Sequence, residues 1–269
     1  MSALISLTTD FGLRDHFVGT MKGVMLNINP SAQLVDVSHN VTPFDVFDGA
    51  VTIALAYRYF PPQTVHLVIV DPGVGTSRRA IVARTREHVF VAPDNGVLSI
   101  IYEREEQVEV RHVIADRYFL KPVSNTFHGR DIFAPVAGWL SKGLGPEKFG
   151  ETVTDYVRLS VPKPKRAGAR EIQGVVIKVD QFGNLITNIG PEDVPELFAT
   201  PPSEFSMSAG QQRITRMYNS YASGKSSEIF AILGSSGFLE LGQNHGSAAE
   251  TLQVSRGAEV KIALGAAHG

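Results

Sequence analysis

The feature that most constrains this chain is a change of rhythm part-way along it. Between residues 4 and 70, short apolar runs alternate with stretches of helical spacing. LISLTTD (4–10) reads as a strand ending on Asp10, and DHFVGTMKGVMLNI (15–28) as a helix with Asp15 as its cap or first-turn residue. Asn29-Pro30 stops that helix. A second strand follows at 33–37, a second helix at 44–59 and a third strand at 64–70. Strand–helix–strand–helix–strand with short connections predicts a mostly parallel sheet with helices on its faces. Two strands around Arg86-Glu87-His88, a turn at Pro93–Gly96, a short helix, a strand near 108–114 and a helix near 131–142 complete this half.

Prolines and scattered charges over 155–172 predict a crossing between domains, and Lys163-Pro164-Lys165-Arg166 within it reads as solvated linker. Beyond it the helical rhythm is gone. GVVIKVD, LITNI, EFSMSAG, QRITRM, EIFAILG, FLELG and AEVKIAL are short strand candidates separated by glycine, asparagine and serine turns. That spacing predicts a small antiparallel barrel or sandwich. The expected domains are 1–160 and 161–269.

Composition narrows the function. With no cysteine among 269 residues, disulfides, thiolate zinc sites, iron–sulfur centres and cysteine nucleophiles are excluded. A formal net charge of -2 gives no reason to expect nucleic acid or an anionic membrane as partner. The N-terminal MSALISLTTDFG lacks a basic n-region, and no apolar run reaches the roughly 20 residues of a transmembrane helix. The expectation is a cytoplasmic protein.

In an open α/β sheet, ligands bind beyond the carboxyl ends of the strands. Asp10 and Asp71 both end strands there, each followed by glycine within two residues. Either alone reads as a turn cap; the pair suggests a site. VDPGVGTSRR (70–79) lacks the P-loop's closing Gly-Lys-Ser/Thr, and Arg78 stands where a dinucleotide fingerprint needs its third glycine. In TFHGRD (126–131), His128 is either a packed histidine or a ring held at a tight backbone near solvent, and Asp131 suits a helix first turn. No HxH or HExxH run suggests a metal site, although Asp10, Asp71 and His128 are able to converge in space. No G-x-S-x-G elbow is present. Asp180-Gln181-Phe182-Gly183-Asn184 reads as a hairpin turn, but its phenylalanine flanked by Asp and Asn also suits a platform for a flat ligand.

Taken together, TTDFG (8–12), VDPGVGTSRR (70–79), APDNG (92–96), TFHGRDIFAP (126–135), DQFGN (180–184) and GSSGFLEL (234–241) resemble the S-adenosylmethionine hydroxide adenosyltransferases, relatives of fluorinase and chlorinase. The resemblance runs over almost the whole chain. It implies an α/β domain followed by a small antiparallel β-barrel. It also implies hydroxide attack on ribose C5′ of S-adenosylmethionine, giving adenosine and methionine with no cofactor and no metal. By resemblance, Asp71, Arg78 and His128 activate water, and Asp10 holds the ribose hydroxyls. Asp180 matches the residue gripping the methionine ammonium, Phe182 and Asn184 contact adenine, and Ser235 lies near the methionine carboxylate. Ser236, Gln243 and His245 depart from the halogenases' pattern, and no role is carried to them. The family forms homotrimers with sites at subunit interfaces, which implies a trimer here.

A sulfonium leaves without protonation, so what the reaction lacks is a nucleophile, water with pKa about 15.7 being a poor one. Arg78 beside the water would favour hydroxide while Asp71 or His128 takes the proton, and the sequence leaves both open. Arg79 replaces Arg78 if the turn is wound differently. Three other readings compete: an adenosine-compound sensor without turnover, a metal-dependent hydrolase using Asp10, Asp71 and His128, and halide transfer. The halogenating relatives usually carry tyrosine at the position of Asp71, and an anionic Asp71 would repel a halide.

Overall fold

The computed structural model describes residues 3–199 and 204–265. The chain divides into two compact units, Met1–Val161 and Pro162–Gly269.

The first unit is α/β with a mixed six-stranded sheet. Its elements run β1 (Leu4–Thr9), α1 (Phe17–Ile28), β2 (Gln33–Ser38), α2 (Val46–Ala56), β3 (Val65–Ile69), β4 (Ala80–Arg84), β5 (Val89–Pro93), α3 (Ser99–Arg104), β6 (Glu109–His112) and α4 (Ala134–Ser141). The strand order is β2-β1-β3-β5-β4-β6. The β1–β2, β1–β3 and β3–β5 pairs are parallel, whereas β4 pairs antiparallel with both β5 and β6. Strands β1 and β3 are almost wholly buried, as expected for the centre of a sheet covered on both faces.

Local chemistry explains most boundaries. Helix α1 buries Val18, Met21 and Met25, one stripe at helical spacing. Asp15 does not cap it: the cap position is His16, with no side-chain hydrogen bond. Asp45 caps α2 by accepting from the Asp48 N–H, and the helix ends in a single tight turn at Tyr57–Tyr59. A wide π-type turn at Gly129–Phe133 leads into α4. Phe133, Val136 and Leu140 there pack with Ile5, Leu7 and Leu67 in the core.

The second unit carries β7 (Lys165–Gly168), β8 (Glu171–Val179), β9 (Leu185–Thr187), β10 (Phe205–Ala209), β11 (Gln212–Ile214), β12 (Met217–Tyr218), β13 (Ile229–Leu233), β14 (Leu239–Gln243), α5 (Ala248–Leu252) and β15 (Glu259–Leu264). They form one curled sheet in the order β11-β10-β15-β8-β9-β14-β13-β12, with β7 beside β8. Every pair is antiparallel except β12–β13. The basic cluster is therefore not all linker: Lys165 and Arg166 lie in β7, and Arg166 pairs with Glu196 at 2.9 Å. Helix α5 was not anticipated, although its S-A-A-E start is a capping signal, and Ser247 Oγ accepts from the Glu250 N–H at 3.1 Å.

Candidate active site

In the first unit the chain leaves β3 at Val70, turns on Asp71-Pro72-Gly73-Val74 and turns again on Gly73–Thr76, with the Thr76 N–H and hydroxyl both donating to the Gly73 carbonyl. Gly75 needs its φ of +77°, and a Cβ there would stand 2.2 Å from the Asn125 carbonyl oxygen. The 71–79 loop and the loop ahead of His128 thus meet backbone to backbone, an approach only glycine permits.

That meeting assembles Asp71, Arg78 and His128. Arg78 Nε donates to Asp71 Oδ1 at 2.9 Å and Oδ2 at 3.0 Å, and its Nη2 also bonds Asp71 Oδ2. The same Nη2 lies 2.9 Å from His128 Nδ1. The Asp71 and Arg78 side chains are 5% and 10% exposed, and the guanidinium stacks over the Phe133 ring. A guanidinium only donates, so His128 Nδ1 accepts, the ring is neutral and its proton sits on Nε2. Burial, reinforced by the Arg78 charge, lowers the imidazole's pKa and agrees with that state.

Asp10 follows β1, whose Thr9 is in register with Ile69 of β3, so both aspartates leave the sheet at one edge. Asp10 Oδ2 accepts the Phe44 N–H at 2.8 Å. Burial raises its pKa against that bond, and the charge of Asp71 adds to the rise. Phe44 was missed in the sequence; its φ of +64° aims the N–H at Asp10, and its ring is 75% exposed. No local pattern announces a non-glycine residue in that conformation.

Arg79 turns the other way, pairing with Asp94 at 2.7 Å and Asp155 at 2.7 Å, so Arg78 is the arginine at the site. Asn95 of APDNG donates to the Val70 carbonyl and fixes the exit of β3. Asp131 is fully buried, bonded to Arg130 and to the Ser124 N–H; burial raises its pKa, but these partners hold it below the usual carboxylate range. It braces the loop ahead of His128 rather than merely facing a helix terminus.

In the second unit, Asp180 Oδ1 accepts the N–H groups of Phe182 and Asn184, each at 2.8 Å, and Oδ2 accepts Asn184 Nδ2 at 2.8 Å. This closes the β8–β9 turn and leaves the Phe182 ring 75% exposed. Gly183, at φ +81°, meets Ser247 so closely that a Cβ would clash. Ser235 is exposed in the β13–β14 turn. The structure does not put it beside Asp180: the antiparallel register sets Leu185 against Leu241, so the Asn184 turn lies towards Gly242 and the Ser235 turn beyond Leu239, at opposite ends of β14. Between them stand Tyr221 and Glu240, which the sequence did not single out.

Among the described residues, no three His, Asp or Glu side chains group as metal ligands, and no helix is long and apolar enough to cross a membrane. Asp10, Asp71 and His128 do not form such a group.

The chain matches the models of the SAM hydroxide adenosyltransferase N-terminal domain over residues 5–150 and C-terminal domain over residues 174–261. It is 36% identical to an (R)-S-adenosyl-L-methionine hydrolase of Salinispora tropica, covering 97% of this chain and 98% of that one. A protein of the same description from Methanocaldococcus jannaschii is 34% identical, over 96% and 95% respectively. A crystal structure of a conserved, uncharacterized protein from Thermotoga maritima superposes with a TM-score of 0.90 at 39% identity, covering 96% of this chain and 99% of that one.

Proposed function

The chain belongs to the SAM hydroxide adenosyltransferase family, and from that premise we propose that it hydrolyses S-adenosyl-L-methionine to adenosine and L-methionine by hydroxide attack on ribose C5′. The observation that carries this reading is the single guanidinium bonded at once to Asp71 and His128. A water oxygen bonds C5′ as the C5′–S bond breaks, the electron pair stays on sulfur, and the water's surplus proton goes to a side chain. His128 spends its Nδ1 lone pair on Arg78 and offers only Nε2–H, which makes Asp71 the acceptor. The cation beside both lowers the cost of hydroxide, and Nε2–H is suited to orient it. Hydroxide and sulfonium lose charge as they meet, so a dry pocket favours the transition state.

The remaining roles are part of the same proposal. Asp10 binds the ribose hydroxyls, which its place beside Asp71 supports. Phe182 stacks on adenine; Asn184, with Nδ2 given to Asp180, keeps Oδ1 to accept from the adenine amine. Asp180 takes the methionine ammonium; the carboxylate role of Ser235, whose turn lies at the other end of β14, rests on the resemblance alone. No metal or other cofactor takes part. We infer working domains of 1–160 and 161–269, the second a small antiparallel barrel in keeping with its curled sheet. We also infer a cytoplasmic homotrimer with sites at subunit interfaces.

Incubating chelator-treated protein with S-adenosyl-L-methionine in ¹⁸O-water tests the reaction. Labelled adenosine with an equal amount of methionine is expected; unlabelled adenosine, or turnover lost to the chelator, would refute it.

A further inference from the structure

Two adjacent residues of one turn grip both ends of the loop that carries Asp71 and Arg78. At its entry, Asn95 Nδ2 donates to the Val70 carbonyl at 2.8 Å, and Asn95 Oδ1 accepts the Val97 N–H at 3.2 Å. At its exit, the Arg79 carbonyl accepts the Asp94 N–H at 2.9 Å, and Arg79 Nε donates to Asp94 Oδ2 at 2.8 Å. The gripped residues, Val70 and Arg79, are the immediate neighbours of Asp71 and Arg78. Whatever holds the two ends therefore sets how far apart Asp71 and Arg78 stand, and that pair meets at 2.9 and 3.0 Å.

The exit is held from two sides. Arg79 Nη1 donates to Asp155 Oδ1 at 2.7 Å and Nη2 to the Asp155 carbonyl at 2.8 Å. Asp94, with its side chain 2% exposed, gives its other oxygen to the Val157 N–H at 2.8 Å. A planar guanidinium spread over these acceptors has its direction fixed by them, whereas a lysine ammonium would turn freely about either carboxylate. The Arg79 carbonyl continues the β4–β5 ladder one bond past the Ala80–Pro93 pair. Consecutive side chains in extended chain point to opposite sides. Turning Arg79 to Asp94 and Asp155 thus turns Arg78 to Asp71 and His128.

We propose that Arg79 is a positioning residue for the hydrolysis: with Asp94 and Asn95 it closes the base of the loop and so holds the Arg78 guanidinium between Asp71 and His128. The inference rests on the hydrolase reading and adds to it the residues that set the geometry of the reacting groups. Arg79 acts through Arg78 and takes no part in the proton transfer. Its effect is readable at His128. Burial lowers that imidazole's pKa most and the Arg78 charge lowers it further, while Asp71 and Asp131 raise it. When the clamp loosens and Arg78 drifts, the two carboxylates are left to act, and the ring takes its proton at a higher pH.

The test is steady-state hydrolysis of S-adenosyl-L-methionine against pH by the full-length protein and by Arg79→Lys, with melting curves on the same preparations. For the variant, kcat is expected to fall about tenfold with KM within about twofold, and the acid limb to move up by about half a pH unit. Asn95→Ala frees the other end of the loop and should show the same split; if Arg79→Lys does not fold, Asn95→Ala decides. A lowered melting temperature with kcat and pH profile unchanged would make the clamp purely structural. A rise in KM alone would place Arg79 in binding, and a fall in kcat with an unmoved acid limb would break the route through Arg78. Each of these results overturns the proposal. If the unsubstituted protein does not turn over S-adenosyl-L-methionine, the hydrolase reading itself falls, and the proposal with it.

Discussion

Arg78 Nη2 lies 2.9 Å from His128 Nδ1, and because a guanidinium cannot accept a hydrogen bond, this contact holds the histidine neutral. Protonation would set two cations face to face and break the bond. The lowered pKa, caused by burial and then by Arg78, places this titration below the ordinary imidazole value of about 6.5. The rate of S-adenosyl-L-methionine hydrolysis should therefore stay flat as pH falls from 8 to about 6.5 and decline only below that. A rate-against-pH profile on the purified protein checks it, and a midpoint at 7 or above would contradict the assignment.

Asp71→Asn should lower kcat by a factor of about 10² to 10⁴, the usual worth of a positioned base, with KM little changed. His128→Ala should also remove most turnover, since it deletes the group that orients the guanidinium opposite Asp71. Steady-state kinetics with mass-spectrometric detection of adenosine resolves both.

Asp10→Ala is expected to behave differently. Ribose hydroxyls are bound alike in ground and transition states, so KM should rise with kcat nearly intact. Loss of kcat alone would refute the ribose role.

Gly75→Ala would force a side chain into a φ of +77° and against the Asn125 carbonyl. Stability should fall by about 1–3 kcal/mol from backbone strain and overpacking, and turnover more than stability, because the two loops carry Asp71 and His128 apart. Chemical denaturation and kcat measured on the same preparation separate the two effects.

His66 is wholly buried against Phe90, and its pKa is pushed down to about 3 by burial and by neighbouring His88. Below about pH 6.5 the unfolded chain binds a proton that the folded chain refuses, so stability falls as pH drops from there towards 3. His88, also lowered by burial, adds to the same slope. His66→Gln should flatten the fall in unfolding free energy between pH 6.5 and 4, as read from urea titrations at each pH.

Much of this was legible in the sequence because it is local. The alternation over residues 4–70 gave β1 through β3, and Asp10 and Asp71 fall on one edge as strand-end aspartates should. What escaped depends on distant partners. Arg78 and Arg79 are indistinguishable by type; Asp155, 76 residues away from Arg79, sorts them. The antiparallel pairing of β4 with β5 and β6 makes the first sheet more mixed than the rhythm alone predicts, since pairing direction is a long-range property. Asp15 has the right composition for a cap, but the helix begins two residues later. Tyr221 and Glu240 look like ordinary strand and turn residues until their hydrogen bond is seen.

The exposed ring of Phe182 has one more consequence. Folding takes almost nothing from it, because the turn beneath is closed by Asp180 and not by aromatic packing. The roughly 1.5–3 kcal/mol that covering a phenylalanine can yield stays available to whatever settles on it. On the proposed adenine-stacking role, recognition and structural integrity would be uncoupled at this position, and variation there would retune which flat molecule is favoured without jeopardising the scaffold that presents it.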